Sequence, residues 1–250
     1  MNNKNSSVLG YLILGITGIF FISCLTSSCG KAVSTVPAGS NILYQVVNLS
    51  PDLLPVDLYI NFNKVNTSGS FAYPNPSGYF ALTLIDTPFQ IRSSTLLAST
   101  TNIFSIDTIL KNNVSYTLFI TGQLASAGTP NAVSYILTRD TSALPTVGRG
   151  KIRFINASPG SGGLDITANN TLAFSNQAYK SVSKFIELPA GNYDFKIMPT
   201  GVIQTILADL PGVTVQDGKI YTLYSYGIVG RIDSAAFNEA VITTTIPSNP

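Results

Sequence analysis

The chain has 250 residues, enough for one large domain or two of about 100 residues each. Hydrophobic residues make up 45% and charged residues 10%, against about 25% charged in an average soluble domain, so Ser, Thr, Asn and Gly must solvate the surface. A net charge of +2 without any basic block excludes an electrostatic footprint for nucleic acid, and the lack of histidine excludes a Ser-His-Asp triad.

At the N-terminus, Lys4 precedes an apolar run over residues 8–22 that Gly10, Gly15 and Gly18 dilute. A membrane-spanning helix needs about 20 apolar residues, so residues 1–28 read as a signal peptide. The run ends in Ser27-Ser28-Cys29-Gly30, which resembles the processing site of bacterial lipoproteins and the endings found in Bacteroidota, with Thr26 in place of the usual leucine. That resemblance implies a lipidated Cys29, with Cys24 after Ser23 as the alternative, and attachment to the outer membrane through the acyl chains. Residues 29–40 are then a lipidated cysteine and tether. The tether carries no acidic residue, which favours the periplasmic face over surface display.

The first repeat is expected over residues 41–140. Tyr44 and Val46 alternate with Gln45 and Val47, as in a strand. Asn48-Leu49-Ser50-Pro51-Asp52 then breaks it, because proline donates no hydrogen bond and Asn, Ser and Asp bond nearby amides. Further strands are expected at 56–62, 79–85, 89–93, 101–109, 116–122 and 133–138. β-branched and aromatic residues dominate them, and no window carries a helical period.

Residues 141–150 hold Pro145, Gly148 and Gly150 and read as a linker. The pattern restarts over 151–250, where Ile152 and Phe154 alternate with Lys151 and Arg153. Asn156-Ala157-Ser158-Pro159-Gly160 repeats the first corner 108 residues on, and Asp165 repeats Asp57 at the same offset. Tyr116 after Asn113 and Tyr221 after Gly218 resemble the tyrosine corner of sandwich folds, in which the hydroxyl bonds backbone upstream. The expected fold is all-β: two tandem immunoglobulin-like Greek-key β-sandwiches behind a lipoprotein signal peptide.

Asn-x-Ser-Pro, then Val-Asp-Leu-Tyr, then Leu-Pro-Ala-Gly-x-Tyr, then Tyr-Thr-Leu before a glycine resembles domain of unknown function 4397 of bacterial cell envelopes, in tandem over 41–140 and 150–245. The second copy has Gly160 where an aspartate is usual, and the first reads Asp86-Thr87-Pro88 in place of the Pro-Ala-Gly turn. The resemblance implies a fold and an envelope location, and no activity.

Asp57 and Asp165 are candidates either for calcium ligation with turn carbonyls or for locking the turn after Asn48, Ser50, Pro51 and their counterparts Asn156, Ser158, Pro159 by accepting backbone N–H bonds. Calcium loops concentrate three or more acids and each loop here offers one or two, which favours the structural role. Gly160-Ser161-Gly162-Gly163 precedes a strand and not a helix, so it reads as a turn and not as a phosphate loop. Tyr221, Tyr224 and Tyr226 read as core and strand-pairing residues, with a glycan platform as the lesser alternative. No cofactor or metal is expected. The expected role is a non-catalytic binding or scaffolding module for a glycan, peptide or envelope protein. The alternative is a structural spacer or accessory subunit, and a hydrolase is a distant third.

Overall fold

The computed structural model describes residues 42–82, 87–94, 102–202 and 204–245. The expected signal peptide with Cys24, and the expected lipidated Cys29 and tether, lie outside them. Among these residues sixteen strands follow in chain order. The first repeat has β1 (Leu43–Asn48), β2 (Val56–Ile60), β3 (Asn63–Lys64), β4 (Phe80–Ala81), β5 (Phe89–Ser93), β6 (Asn102–Ile106), β7 (Ser115–Thr121) and β8 (Ser134–Arg139). The second has β9 (Arg149–Asn156), β10 (Leu164–Ala168), β11 (Thr171–Gln177), β12 (Ile186–Pro189), β13 (Gly191–Pro199), β14 (Ala208–Val215), β15 (Ile220–Tyr226) and β16 (Asn238–Thr243). The only helical element among the described residues is a 3-10 turn, Leu124–Ser126.

The strands form four sheets in the orders β4-β1-β7-β8, β3-β2-β5-β6, β12-β9-β15-β16 and β11-β10-β13-β14. Both repeats therefore share one Greek-key plan, in which the first strand pairs in parallel with the seventh. The chain is two tandem β-sandwiches, each with eight strands among the described residues, where the pattern marked about seven in the first repeat. The additional one, β3, is two exposed polar residues that carry no alternation.

Each sandwich closes on its own core. Tyr44, Val46, Leu58, Phe89, Ile91 and Leu118 meet in the first. Ile152, Phe154, Ile166, Phe195, Ile197 and Leu223 meet in the second. Burying such a side chain contributes about 1.5–3 kcal/mol.

A third apolar cluster joins the repeats. Val47, Leu49, Phe119 and Ile136 pack on Ile155, Ala157 and Tyr224. These are the residues that alternation turns away from the two sandwich cores, so the central strands β1, β7, β9 and β15 are buried on both faces. Arg153 is buried at 3% exposure, although alternation opposite Ile152 and Phe154 marks it as a surface residue. The linker-like stretch also runs into the fold, since β9 begins at Arg149. A Cβ at Gly150 would lie 2.5 Å from Val215 Cγ1 and 2.9 Å from the Gln216 carbonyl oxygen, so this glycine admits close strand packing.

Candidate functional site

The paired corners are built alike. Asn48 Oδ1 accepts the Ser50 amide at 3.1 Å, and Asn156 Oδ1 accepts the Ser158 amide at 3.1 Å. Both asparagines and both serines are fully buried. Pro51 and Pro159 follow directly, where the missing N–H ends strand pairing. Asn48 Nδ2 donates to the Phe71 carbonyl at 3.3 Å. Asn156 Nδ2 has more partners, donating to Gln177 O at 2.9 Å and Gly162 O at 3.2 Å. Asp52, the residue replaced by Gly160, accepts the Leu124 and Ala125 amides at 2.9 and 3.0 Å and so caps the 3-10 turn.

The two tyrosines also match. Tyr116 Oη accepts the Lys111 amide at 3.1 Å, and Tyr221 Oη accepts the Gln216 amide at 3.0 Å, each five residues upstream.

The paired aspartates differ. Asp165 accepts the amides of Asn176 at 2.7 Å and Gly201 at 3.1 Å. Partial burial would raise its carboxyl, but these donors with Thr200 and Ser175 hold it below the usual range. Asp57 takes side-chain donors instead, Lys64 Nζ at 2.8 Å and Asn66 Nδ2 at 2.9 Å. Burial opposes its charge, and Lys64, Asn66 and Ser70 together still lower its pKa. A cation at Asp57 would have to displace Lys64. Among the described residues no group of three or more His, Cys, Asp or Glu could hold a metal.

Tyr221, Tyr224 and Tyr226 form no surface platform. Tyr221 points into the second core, while Tyr224 is buried between the repeats with Tyr226 packed beside it. A strand turns alternate residues to opposite faces, and here both faces are covered.

A concave site does open in the first repeat. Its edge strands β3 and β4 have two residues each, whereas β11 has seven and β12 has four. The chain between β3 and β4 touches β2 through Phe71 and β1 through Pro76 as it crosses from one sheet to the other. Beside it lies a groove of about 490 Å³, within the range of ligand pockets. Val65, Phe71 and Phe80 supply its apolar wall, and Thr67, Ser70 and Ser77 supply hydroxyls. None of its described lining residues is charged. Phe71 and Phe80 are stacked with ring centroids 6.2 Å apart, which fixes the wall.

Sequence reasoning missed this groove and one serine that frames it. Ser77 Oγ accepts the Val46 amide at 3.0 Å while its own amide donates to Val46 O at 2.9 Å. Ser183 repeats both bonds with Phe154, at 2.8 and 2.9 Å. The signal was present, since Ser77 and Ser183 stand 106 residues apart and an aromatic follows each by two.

No curated protein matches the chain. Among solved structures, a leucine-rich repeat protein from Bacteroides thetaiotaomicron is similar over 75% of this chain and 26% of its own, at 14% identity and a TM-score of 0.18. That likeness is too weak to bear on the fold. The family model of a domain of unknown function (DUF4397) matches residues 43–167 and 150–246, and with both repeats so covered the chain belongs to that family.

Proposed function

We propose that this protein is a non-catalytic recognition or scaffolding module of a bacterial cell envelope, held to the outer membrane by a lipidated Cys29. The groove of the first repeat takes a neutral ligand rich in hydroxyl or amide groups, of the kind a glycan or an extended peptide offers. The observation that carries this reading is the groove's uncharged wall of phenylalanines rimmed by Thr67, Ser70 and Ser77. The sequence supports the location through its lipoprotein-like leader, and a chain without histidine supports a role without proton transfer.

The experiment compares the acylated protein with a Thr67→Trp variant, which fills the groove from an exposed position. Both are applied to a neutral glycan array and used as bait in solubilised native envelope. Retention of a glycan or peptide by the wild type and its loss in the variant is the expected result. Equal retention by both overturns the groove as the site.

A spacer or accessory subunit is the second reading, and the buried join between the repeats favours it, since it holds two sandwiches at one fixed setting. Equal recovery of one stoichiometric envelope protein by both baits, with no glycan bound, supports that reading.

A further inference from the structure

The β2–β3 hairpin turns on Asn61 and Phe62, whose φ angles are 45° and 64°. The β10–β11 hairpin turns at the same place on Asn169 and Asn170, with φ of 48° and 63°. Asparagine tolerates this left-handed conformation, and a bulky residue there is an outlier. Phe62 is 62% exposed, so burial does not offset its strain. Strain held without packing gain is a mark of function.

Beside it, the Arg92 guanidinium lies 4.4 Å over the Tyr59 ring and 5.9 Å from the Phe62 ring. Its Nη2 donates to Gln90 Oε1 at 2.5 Å, which ties the guanidinium to its own strand. Asp57, directly across from Arg92 in the strand register, is already paired with Lys64. Among the described residues Arg92 enters no ion pair, and its Nε is buried without a hydrogen-bond partner, so contact with a ligand falls to the Nη groups. The guanidinium is held in place by Tyr59 and Gln90 and has no direct carboxylate partner among the described residues. In the second repeat the corresponding positions are Thr167, Asn170 and Met198, so the whole constellation is confined to the first.

We propose that Tyr59, Phe62 and Arg92 form a binding face for a carboxylate-bearing polysaccharide. The Arg92 fork takes the carboxylate in a planar charge-assisted contact. The exposed Phe62 ring takes the apolar face of the adjoining sugar. This face is separate from the groove and does not depend on it.

The test is retention of the full chain on immobilised polygalacturonate, with neutral dextran and dextran sulfate as controls. Wild type should be retained on polygalacturonate, less so at 0.5 M salt, and on neither control to the same degree. Phe62→Asn, which installs the residue of the second repeat's turn, should raise the melting temperature yet lower retention about tenfold or more. Arg92→Gln should also lower retention, and Thr67→Trp should leave it unchanged. Unretained wild type, equal retention on dextran or dextran sulfate, or a Phe62→Asn variant that binds as well as wild type overturns the proposal.

Discussion

Phe119 and Tyr224 occupy the same position in the two repeats, and their rings meet 5.4 Å apart. In an isologous contact equivalent residues meet at the two-fold axis, and away from it residue i meets j while j meets i. Other contacts obey the same axis. Tyr73 meets Tyr226 with ring centroids 6.1 Å apart, and its counterpart Tyr179 lies with its hydroxyl 3.3 Å from Thr121 Oγ1, where Thr121 is the counterpart of Tyr226. The repeats are therefore joined as an isologous dimer is joined, within one chain.

The symmetry is broken at one buried pair. Arg153 Nη2 is ion-paired with Asp140, and its Nε donates to Thr222 Oγ1 at 2.9 Å. Asp140 also accepts Thr117 Oγ1 at 2.6 Å and Tyr79 Oη at 2.9 Å. The equivalent seats hold the neutral residues Gln45 and Thr244, and Gln45 Oε1 lies 3.3 Å from Thr117 Oγ1 at the edge of the network. Removing one partner of a buried pair strands the other and costs about 3–5 kcal/mol, whereas replacing both by neutral groups is often tolerated. Arg153→Gln should thus lose about that much in urea unfolding. The Arg153→Gln/Asp140→Thr double variant, which copies the other side of the axis, should recover at least half. A double variant as unstable as the single would contradict the assignment of equivalent seats.

These relations mark what the sequence discloses. The corners and tyrosine corners were legible because their bonds are local: Asn48 reaches Ser50 two residues on, and Tyr116 reaches Lys111 five residues back. Arg153 was not legible, because alternation reports only that it faces away from its own core. What covers that face is the other repeat's sheet, a long-range fact. The groove was hidden for a related reason, since it depends on how far β3 and β4 run, and the ends of elements are the least legible feature of a sequence. Phe62 could have been noticed by aligning the hairpins, where Asn61-Phe62 stands against Asn169-Asn170.

The two corner asparagines should not be equally important. Asn48 serves one amide and one carbonyl, whereas Asn156 also accepts Ser225 Oγ at 3.1 Å and exchanges bonds with Ser161. Each buried group left without a partner costs about 1–3 kcal/mol. Asn156→Ala should therefore destabilise the chain more than Asn48→Ala, by at least about 1 kcal/mol in chemical denaturation. The reverse order would show that the corners are not held by these bonds.

Glu239 sets a pH dependence. It is 4% exposed, and neither carboxylate oxygen makes a hydrogen bond of good geometry. Burial, with the Asp209 charge adding to it and the Leu210 amide opposing, pushes its pKa from 4.5 to about 8. The folded state thus binds more protons than the unfolded state between these values, so stability falls as pH rises across that window. The stabilisation is fully present below about pH 4.5 and lost by about pH 8 to 9. Glu239→Gln removes the titration. Relative to wild type it should gain on the order of 4 kcal/mol between pH 4.5 and 9. Parallel stability curves for the two proteins would refute the shift.

Two glycines repeat at the exit of the seventh strand. A Cβ at Gly122 would lie 2.2 Å from the Ala132 carbonyl oxygen, and one at Gly227 would lie 2.1 Å from the Ala236 oxygen. Their φ angles are 93° and 72°, so conformation and space both demand glycine. The obstructing atoms are backbone, held by the parallel bridges Gln123–Ala132 and Ile228–Ala236, and cannot swing aside. Gly128 shares the positive φ, at 80°, but has open space around it. Gly128→Ala should cost about 1–2 kcal/mol from conformation alone. Gly122→Ala and Gly227→Ala add overpacking to that strain and should each cost about 3 kcal/mol or more. The comparison is made by urea midpoints of the three variants, and a Gly122→Ala protein no weaker than Gly128→Ala would mean that the β7–β8 connection is not clamped against its own strand.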